Sequence, residues 1–273
     1  MEKKTTEKEG RGKKLIILGF ASIAILFVLY GRYQDPELLT PSAIESIQRI
    51  AYGFYIALVA SFGAIAFGIY RYHKEKAESK STGLTKIIAL TTWSSKSKKI
   101  FVATFIGYGV FFSLVSGTLV YQPEVSFTFH YGATIPSGFV APCCGDLGYM
   151  PKIIVYLTDN VGLQIIPINL VLQIVVSYLV GLNTAIAVSA YTISKKGRGM
   201  STVGAATGLF IACPTCAGTF MSVFIGTASG IALSVALTEL QTLFIAISIP
   251  VLLVTPFIMA KKLQNADGSC KIN

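Results

Sequence analysis

The sequence predicts an all-α integral membrane protein with six transmembrane helices, both termini in the cytoplasm and a structured extracytoplasmic loop between helices 3 and 4. Of its 273 residues, 53% are hydrophobic and 13% are charged, which is typical of polytopic membrane proteins rather than soluble domains. The apolar residues form six runs near the length of a membrane span, ~20 residues. Lys and Arg are divided twenty to three between the two sides, and the richer side stays in the cytoplasm.

Polar tails flank a single transmembrane domain over residues 15–262. Residues 1–14 are lysine-rich and predict a disordered cytoplasmic tail, and residues 263–273 form the second tail. The first apolar run could be a signal peptide, but no small-x-small cleavage site follows it, so we interpret it as an uncleaved span. The spans are predicted at about residues 15–30, 50–70, 100–121, 163–191, 204–226 and 239–260.

The connection at residues 71–99 carries eight of the basic residues. Within it Leu84, Ile87 and Ile88 recur at helical spacing. This pattern predicts a short amphipathic helix that lies on the membrane surface.

The connection at residues 122–162 is unusually apolar and rich in proline. Large apolar residues alternate with polar ones over residues 125–131, which predicts a short strand. Residues 152–157 predict a short interfacial helix. A loop this apolar is expected to fold back onto the helical bundle rather than to be fully solvated.

Polar residues recur in the fourth span at steps of three or four, and they should face the bundle interior. This stripe either lines a pocket or satisfies neighbouring helices, and we favour the second interpretation. Its members are Asn169, Gln173, Ser177, Gly181 and Thr184.

The fifth span carries Cys213 and Cys216, which share one helix face because they are three residues apart. Cys213 lies roughly 13 Å along the helix from Gly204, close to the middle of the bilayer core. Pro214 removes a backbone donor and should free the carbonyl of Phe210. This span is therefore expected to be bent and packed inside the bundle.

Four of the five cysteines occur as two close pairs, each beside a proline. The pairs are Cys143 with Cys144, in the outer loop, and Cys213 with Cys216. One interpretation is a catalytic thiol–disulfide relay in which the outer pair exchanges electrons with the buried pair. The second is a soft-metal site, since thiolates suit Cu(I), Zn(II) or Hg(II) and the two pairs could form one tetrahedral site. The third is that all four are inert and that the chain is a scaffold subunit of a membrane complex.

The outer motif, residues 141–151 (APCCGDLGYMP), resembles the proline-flanked cysteine motif of membrane thiol–disulfide transporters of the cytochrome c biogenesis type. In that family each motif opens a matching three-helix repeat. Here the resemblance covers about ten residues, and the two motifs precede the fourth span and sit inside the fifth, without a matching repeat. The adjacent cysteines are also similar to those of mercury-uptake membrane proteins.

Other function classes have no sequence signature here. The chain has no HExxH, GxSxG or Walker A motif. Its net charge of +10 resides in connections between apolar runs, which argues against a nucleic-acid partner. The expected partners are the lipid bilayer of the cell membrane, other membrane-protein subunits and an extracytoplasmic redox or metal partner. A soft metal ion is the only cofactor that the sequence suggests.

Overall fold

A computed structural model describes residues 11–34, 41–78, 83–143, 145–196 and 249–261. These residues are mostly helical, with one small antiparallel sheet between the fourth and sixth described helices. The helices are α1 (Arg11–Gly31), α2 (Pro41–Glu78), α3 (Leu84–Trp93), α4 (Ser95–Val115), α5 (Phe127–Tyr131), α6 (Pro167–Lys196) and α7 (Ile249–Lys261). The strands are β1 (Leu119–Tyr121), β2 (Ser137–Ala141), β3 (Lys152–Tyr156) and β4 (Val161–Ile165).

Four helices, α1, α2, α4 and α6, are long and apolar enough to cross a membrane. This indicates a multi-pass helical membrane protein. Helix α7 is apolar but shorter. The predicted span at residues 204–226 and the first part of the span at 239–260 lie outside the described residues, so six spans and cytoplasmic termini stay predictions.

Two predicted spans include residues that form strands rather than helix. The run at residues 100–121 ends in strand β1, since α4 stops at Val115. The run at 163–191 begins in strand β4, and α6 starts at Pro167, where a proline is well tolerated because the first helical N–H needs no intrahelical partner. Strands β1 and β4 pair with each other, Val120 opposite Gly162.

The sheet in this connection is a feature that the predicted all-α fold class does not include. Its strand order is β1-β4-β3-β2, and all neighbouring strands are antiparallel. The prediction of a short helix over residues 152–157 is wrong, because Lys152–Tyr156 forms β3, one of the two inner strands of the sheet. The sequence of β3, KIIVY, consists largely of β-branched and aromatic residues, which favour strands.

The predicted strand at residues 125–131 is also wrong, because it contains helix α5. Local capping explains the difference. The Ser126 Oγ atom accepts a hydrogen bond from the Phe129 N–H at the start of α5, which is the usual role of a helix N-cap. Gly132 ends the helix with a φ of 61°, a conformation that glycine adopts without steric cost.

Two compact units are seen among the described residues. The first falls within residues 1–75 and 110–174, and the second within residues 76–109 and 175–273.

In the first unit, α1 packs on α2 through a core that includes Ile23, Phe54 and Leu58. Val140 of β2 and Met150 belong to the same core. The sheet and the connection after β2 are therefore packed onto the two helices, as the apolar character of this segment predicted.

In the second unit, α3 packs on α6 and α7. Ile87 and Ile88 are buried against Leu182 and Ile186 of α6 and Ala260 of α7. The predicted helix is confirmed. Its apolar face, however, packs on protein, whereas the sequence predicted a helix that lies on the membrane surface.

Candidate functional site

The structure describes one of the four cysteines predicted to form the site. Cys143 follows Pro142 directly after strand β2 and is half-buried. Cys144, Cys213 and Cys216 lie outside the described residues. Whether the two pairs meet therefore stays a prediction, and the candidate site is the segment from Pro142 to Pro151, which we call the cysteine loop.

Two tyrosine hydroxyls hold the ends of the cysteine loop. Tyr30, near the end of α1, donates a hydrogen bond of 2.5 Å to the carbonyl oxygen of Pro142. Tyr55 of α2 donates to the carbonyl oxygens of Pro151, at 2.6 Å, and Ile165, at 3.1 Å. Both prolines that flank the cysteine pair are thus fixed to helices that can span the membrane.

The middle of the cysteine loop is held by its own turn, by Gln34 just after α1 and by the start of α6. The backbone N–H of Tyr149 donates to the carbonyl of Asp146 at 3.0 Å. With its amide nitrogen facing the loop, Gln34 donates to the carbonyl oxygens of Gly145 and Asp146. The Ile168 N–H at the start of α6 donates to the carbonyl of Gly148 at 2.9 Å. Hydrogen bonds are therefore distributed along the loop.

Gly148 is required where the cysteine loop meets α1. Its φ is 84°, in the left-handed region that L side chains rarely adopt. A Cβ atom there would lie 3.3 Å from the Cβ of Ile168 and 3.4 Å from the ring of Phe27. The backbone conformation therefore strains any larger residue at this position, and the contact with Ile168 leaves little room for its side chain.

The Cys143 thiol lies close enough to Tyr30 for the two groups to interact electrostatically. The same hydroxyl therefore fixes the backbone at Pro142 and interacts with the thiol of the next residue. Asp146, the acid nearest in sequence to the pair, is exposed.

The chemistry open to the pair follows from its spacing. Consecutive Cα atoms across a trans peptide are about 3.8 Å apart, whereas disulfides usually join Cα atoms about 4.4–6.8 Å apart. A disulfide between Cys143 and Cys144 would therefore be strained and easily reduced. A bond from either cysteine to a third sulfur has no such constraint.

A metal centre has no support within the described ranges. No three His, Cys, Asp or Glu side chains come together there in a way that could hold an ion. Three of the four thiols of the predicted site are not among those residues, so a site made of both cysteine pairs stays a prediction.

The polar stripe of α6 is partly satisfied by neighbouring side chains. Gln173 donates from Nε2 to Ser113 Oγ of α4 at 2.6 Å. Thr184 donates to the carbonyl of Val180 within its own helix. Gly181 gives room to the ring of Phe101, which would lie 3.1 Å from a Cβ at that position. Only the Gln173 bond reaches a neighbouring helix, and the Ser177 Oγ atom is buried without a hydrogen-bond partner among the described residues. The role of the stripe therefore stays a prediction.

Sequence reasoning did not find the residues that hold the cysteine loop. Tyr30, Tyr55 and Gln34 all lie in or directly after apolar runs. Only a general signal points to the tyrosines: a tyrosine buried among apolar residues usually has a hydrogen-bond partner for its hydroxyl. That signal does not identify the partner.

Comparison with known proteins adds no relative. No family model matches the chain, and neither a curated protein nor a solved structure matches it.

Proposed function

We propose that this membrane protein is a thiol–disulfide relay. The Cys143–Cys144 pair exchanges disulfides with a thiol-bearing protein on the extracytoplasmic side, and the Cys213–Cys216 pair passes the electrons on within the membrane. The topology that goes with this proposal is six spans in the cell membrane with both termini in the cytoplasm. The bias of twenty basic residues to three supports this orientation, and disulfides persist on the outer side.

The position of the cysteine loop is the observation that carries this proposal. The carbonyl oxygens of Pro142 and Pro151 both accept hydrogen bonds from tyrosines of α1 and α2. The thiol of Cys143 is half-buried rather than fully exposed. A fixed, partly accessible thiol suits exchange with a partner, because the attacking and leaving sulfurs must align in a mixed disulfide.

The proposed reaction is balanced in electrons and protons. Two thiols of a partner protein lose two electrons and two protons and become a disulfide. The outer pair, oxidised at the start, gains them and becomes two thiols. The buried pair then reoxidises the outer pair in the same way and is itself reduced. The strain expected of a disulfide between adjacent cysteines favours the first of these exchanges.

The test is a trapping assay on native membranes. The membranes are quenched with acid and denatured, and thiols are alkylated with a mass tag before and after reduction, and separately after chelation. We expect the Cys213–Cys216 pair to gain two tags only on reduction. Cys270, in the predicted cytoplasmic tail, serves as the internal control because it should be tagged without reduction.

Two other results would contradict the relay. Tags that appear only after chelation would show that a metal shields the thiols, and the soft-metal interpretation would replace the relay. The scaffold interpretation would be supported by two results together. All five cysteines would be tagged without either treatment, and the fourfold Cys→Ser variant would leave the host membrane complex fully active.

A further inference from the structure

Strand β2 has one open edge. It pairs with β3 over its whole length, from Ser137 opposite Tyr156 to Ala141 opposite Lys152. Among the residues that the structure describes, no strand pairs with its other edge. Gly138 and Phe139 in the middle of β2 are exposed.

Within the part of the chain that the structure describes, this edge lacks the usual protection against pairing. Natural edge strands are commonly protected by charged side chains, bulges, extreme shortness or a covering element. The sequence of β2, SGFVA, has no charge, and its register with β3 is continuous. The opposite edge strand, β1, has only three residues. The β2 edge is therefore the better template for an added strand.

The open edge leads directly to the candidate thiol. Ala141 ends β2, and Cys143 is two residues further along the chain. At about 3.3 Å per residue, the Cys143 Cα lies within ~7 Å of the strand end. A strand added to β2 would lie ~4.8 Å from it. A cysteine near the end of such a strand is thus within reach of Cys143.

Aromatic side chains extend across one face of the sheet toward this edge. The ring centroids of Phe127 and Tyr156 are 5.2 Å apart, and those of Tyr156 and Phe139 are 6.3 Å apart. Phe127 is buried, whereas Phe139 on the edge strand is 46% exposed. An added strand could place apolar side chains against Phe139, since cross-strand aromatic and β-branched pairs stabilise sheets.

We propose that the open edge of β2 binds an extended polypeptide segment that carries a cysteine, as a fifth strand of the sheet, and so brings that cysteine to Cys143. The partner is an extracytoplasmic protein segment with alternating apolar residues, recognised through its main chain as in other cases of strand addition. This inference rests on the proposed thiol exchange, for which it supplies the class of substrate.

The test uses the full chain in detergent micelles, in a variant that retains Cys143 as its only cysteine. The probe is a seven-residue peptide of alternating Val and Thr with one cysteine, blocked as a mixed disulfide with thionitrobenzoate. The Cys143 thiolate attacks the peptide sulfur, a Cys143–peptide disulfide forms, and the coloured thionitrobenzoate anion leaves. Its release gives the rate.

The matched controls are two isomers of the peptide, N-methylated on one or the other set of alternate residues. An added strand turns the N–H groups of one set toward β2, so only that set is needed. We expect one isomer to react about tenfold more slowly than the parent peptide and the other to react at a rate close to the parent. Equal rates for all three peptides would overturn the proposal.

Two protein variants locate the effect. Gly138→Lys places a charge on the edge strand without a steric clash, since a Cβ there would lie 3.4 Å from Val155 Cγ2. This variant should abolish the tenfold preference. Phe129→Lys changes a side chain that is 86% exposed on α5 and should leave the preference intact. The isomer preference of the protein without either substitution should not depend on protein concentration. If it disappears as the concentration rises, a second copy of the protein occupies the edge, and the proposal is overturned.

Two further measurements separate failure of docking from failure of the exchange function. A small thionitrobenzoate disulfide without a peptide reports the reactivity of Cys143 alone. Normal reaction with this reagent and no isomer preference would leave the exchange function standing and overturn docking. The second measurement is binding of a fluorescent peptide without cysteine. If this peptide binds with the isomer preference while Cys143 reacts with neither reagent, docking is supported and the exchange function is contradicted.

Discussion

Helices α1 and α2 approach each other closely at glycines, whereas α6 and α7 are connected by a hydrogen bond from a polar side chain. A Cβ on Gly68 would lie 3.0 Å from the Gly12 carbonyl oxygen, and one on Gly12 would lie 2.9 Å from the Tyr72 nitrogen. In the second unit, the Asn183 Nδ2 atom donates a hydrogen bond of 3.0 Å to the Leu252 carbonyl.

Each contact solves a different problem of packing in lipid. Apolar lipid gives no hydrophobic drive for helix association, so close van der Waals contact and hydrogen bonds must supply it. The glycines of α1 and α2 permit close contact of two backbones. Asn183 instead donates a hydrogen bond to the Leu252 carbonyl. This carbonyl has no helical donor, because Pro256, four residues further on, has no backbone N–H. The first contact is therefore sensitive to added atoms, and the second to lost polar groups.

The largest effect is expected for Gly68→Ala, which should destabilise the protein by about 1–3 kcal/mol because the new methyl group overlaps backbone atoms of α1. The matched control is Gly63→Ala in the same helix, where a Cβ would meet no atom within 4 Å. This control should raise stability by up to ~1 kcal/mol through helix propensity. Equilibrium unfolding in mixed SDS micelles measures both. Effects of the same sign would contradict a close α1–α2 contact.

The next effect is expected for Asn183→Leu, which leaves the Leu252 carbonyl buried without its side-chain donor. The cost should be about 1–2 kcal/mol in the same unfolding assay. Pro256→Ala restores a helical N–H to that carbonyl, so the double variant should recover most of the loss. If Pro256→Ala did not rescue Asn183→Leu, the hydrogen bond would not be the reason that Asn183 matters.

The helices could be predicted from the sequence where the signal is local. The apolar runs at residues 15–30 and 50–70 lie within α1 and α2, because hydropathy over one segment is enough to indicate a span. The predicted spans include strand β1 and most of strand β4, since these strands are equally apolar. Their pairing joins residues forty or more positions apart, and composition does not carry that information.

The candidate site divides in the same way. The proline-flanked cysteine loop could be recognised from consecutive residues. Its anchors could not, because the Tyr30 hydroxyl binds the Pro142 carbonyl, 112 positions away, and the Tyr55 hydroxyl binds the Pro151 carbonyl, 96 positions away. A backbone carbonyl is present at every position, so the sequence holds no mark of which one is the acceptor.

The tyrosines extend the comparison to the cysteine loop. Tyr55→Phe removes a hydroxyl whose single proton is shared between the carbonyl oxygens of Pro151 and Ile165. It should cost about 1–2 kcal/mol in the unfolding assay, since both carbonyls lose this donor. Tyr52→Phe is the control, since Tyr52 lies on the same helix and is 56% exposed. Equal losses for the two variants would show that the Tyr55 hydroxyl does not anchor the loop.

The smallest loss of stability is expected for Tyr30→Phe, which removes one hydrogen bond, to Pro142, at about 1 kcal/mol. Its effect on the site should be more specific, because Pro142 precedes Cys143 directly. In a chain with Cys143 as its only cysteine, we expect alkylation of the thiol to become severalfold faster in Tyr30→Phe, since a loosened strand end exposes it more often. Tyr55 anchors the far end of the cysteine loop. Tyr55→Phe should therefore accelerate alkylation less, despite its larger cost in stability. The reverse order would mean that reactivity follows global stability rather than the anchor at Pro142.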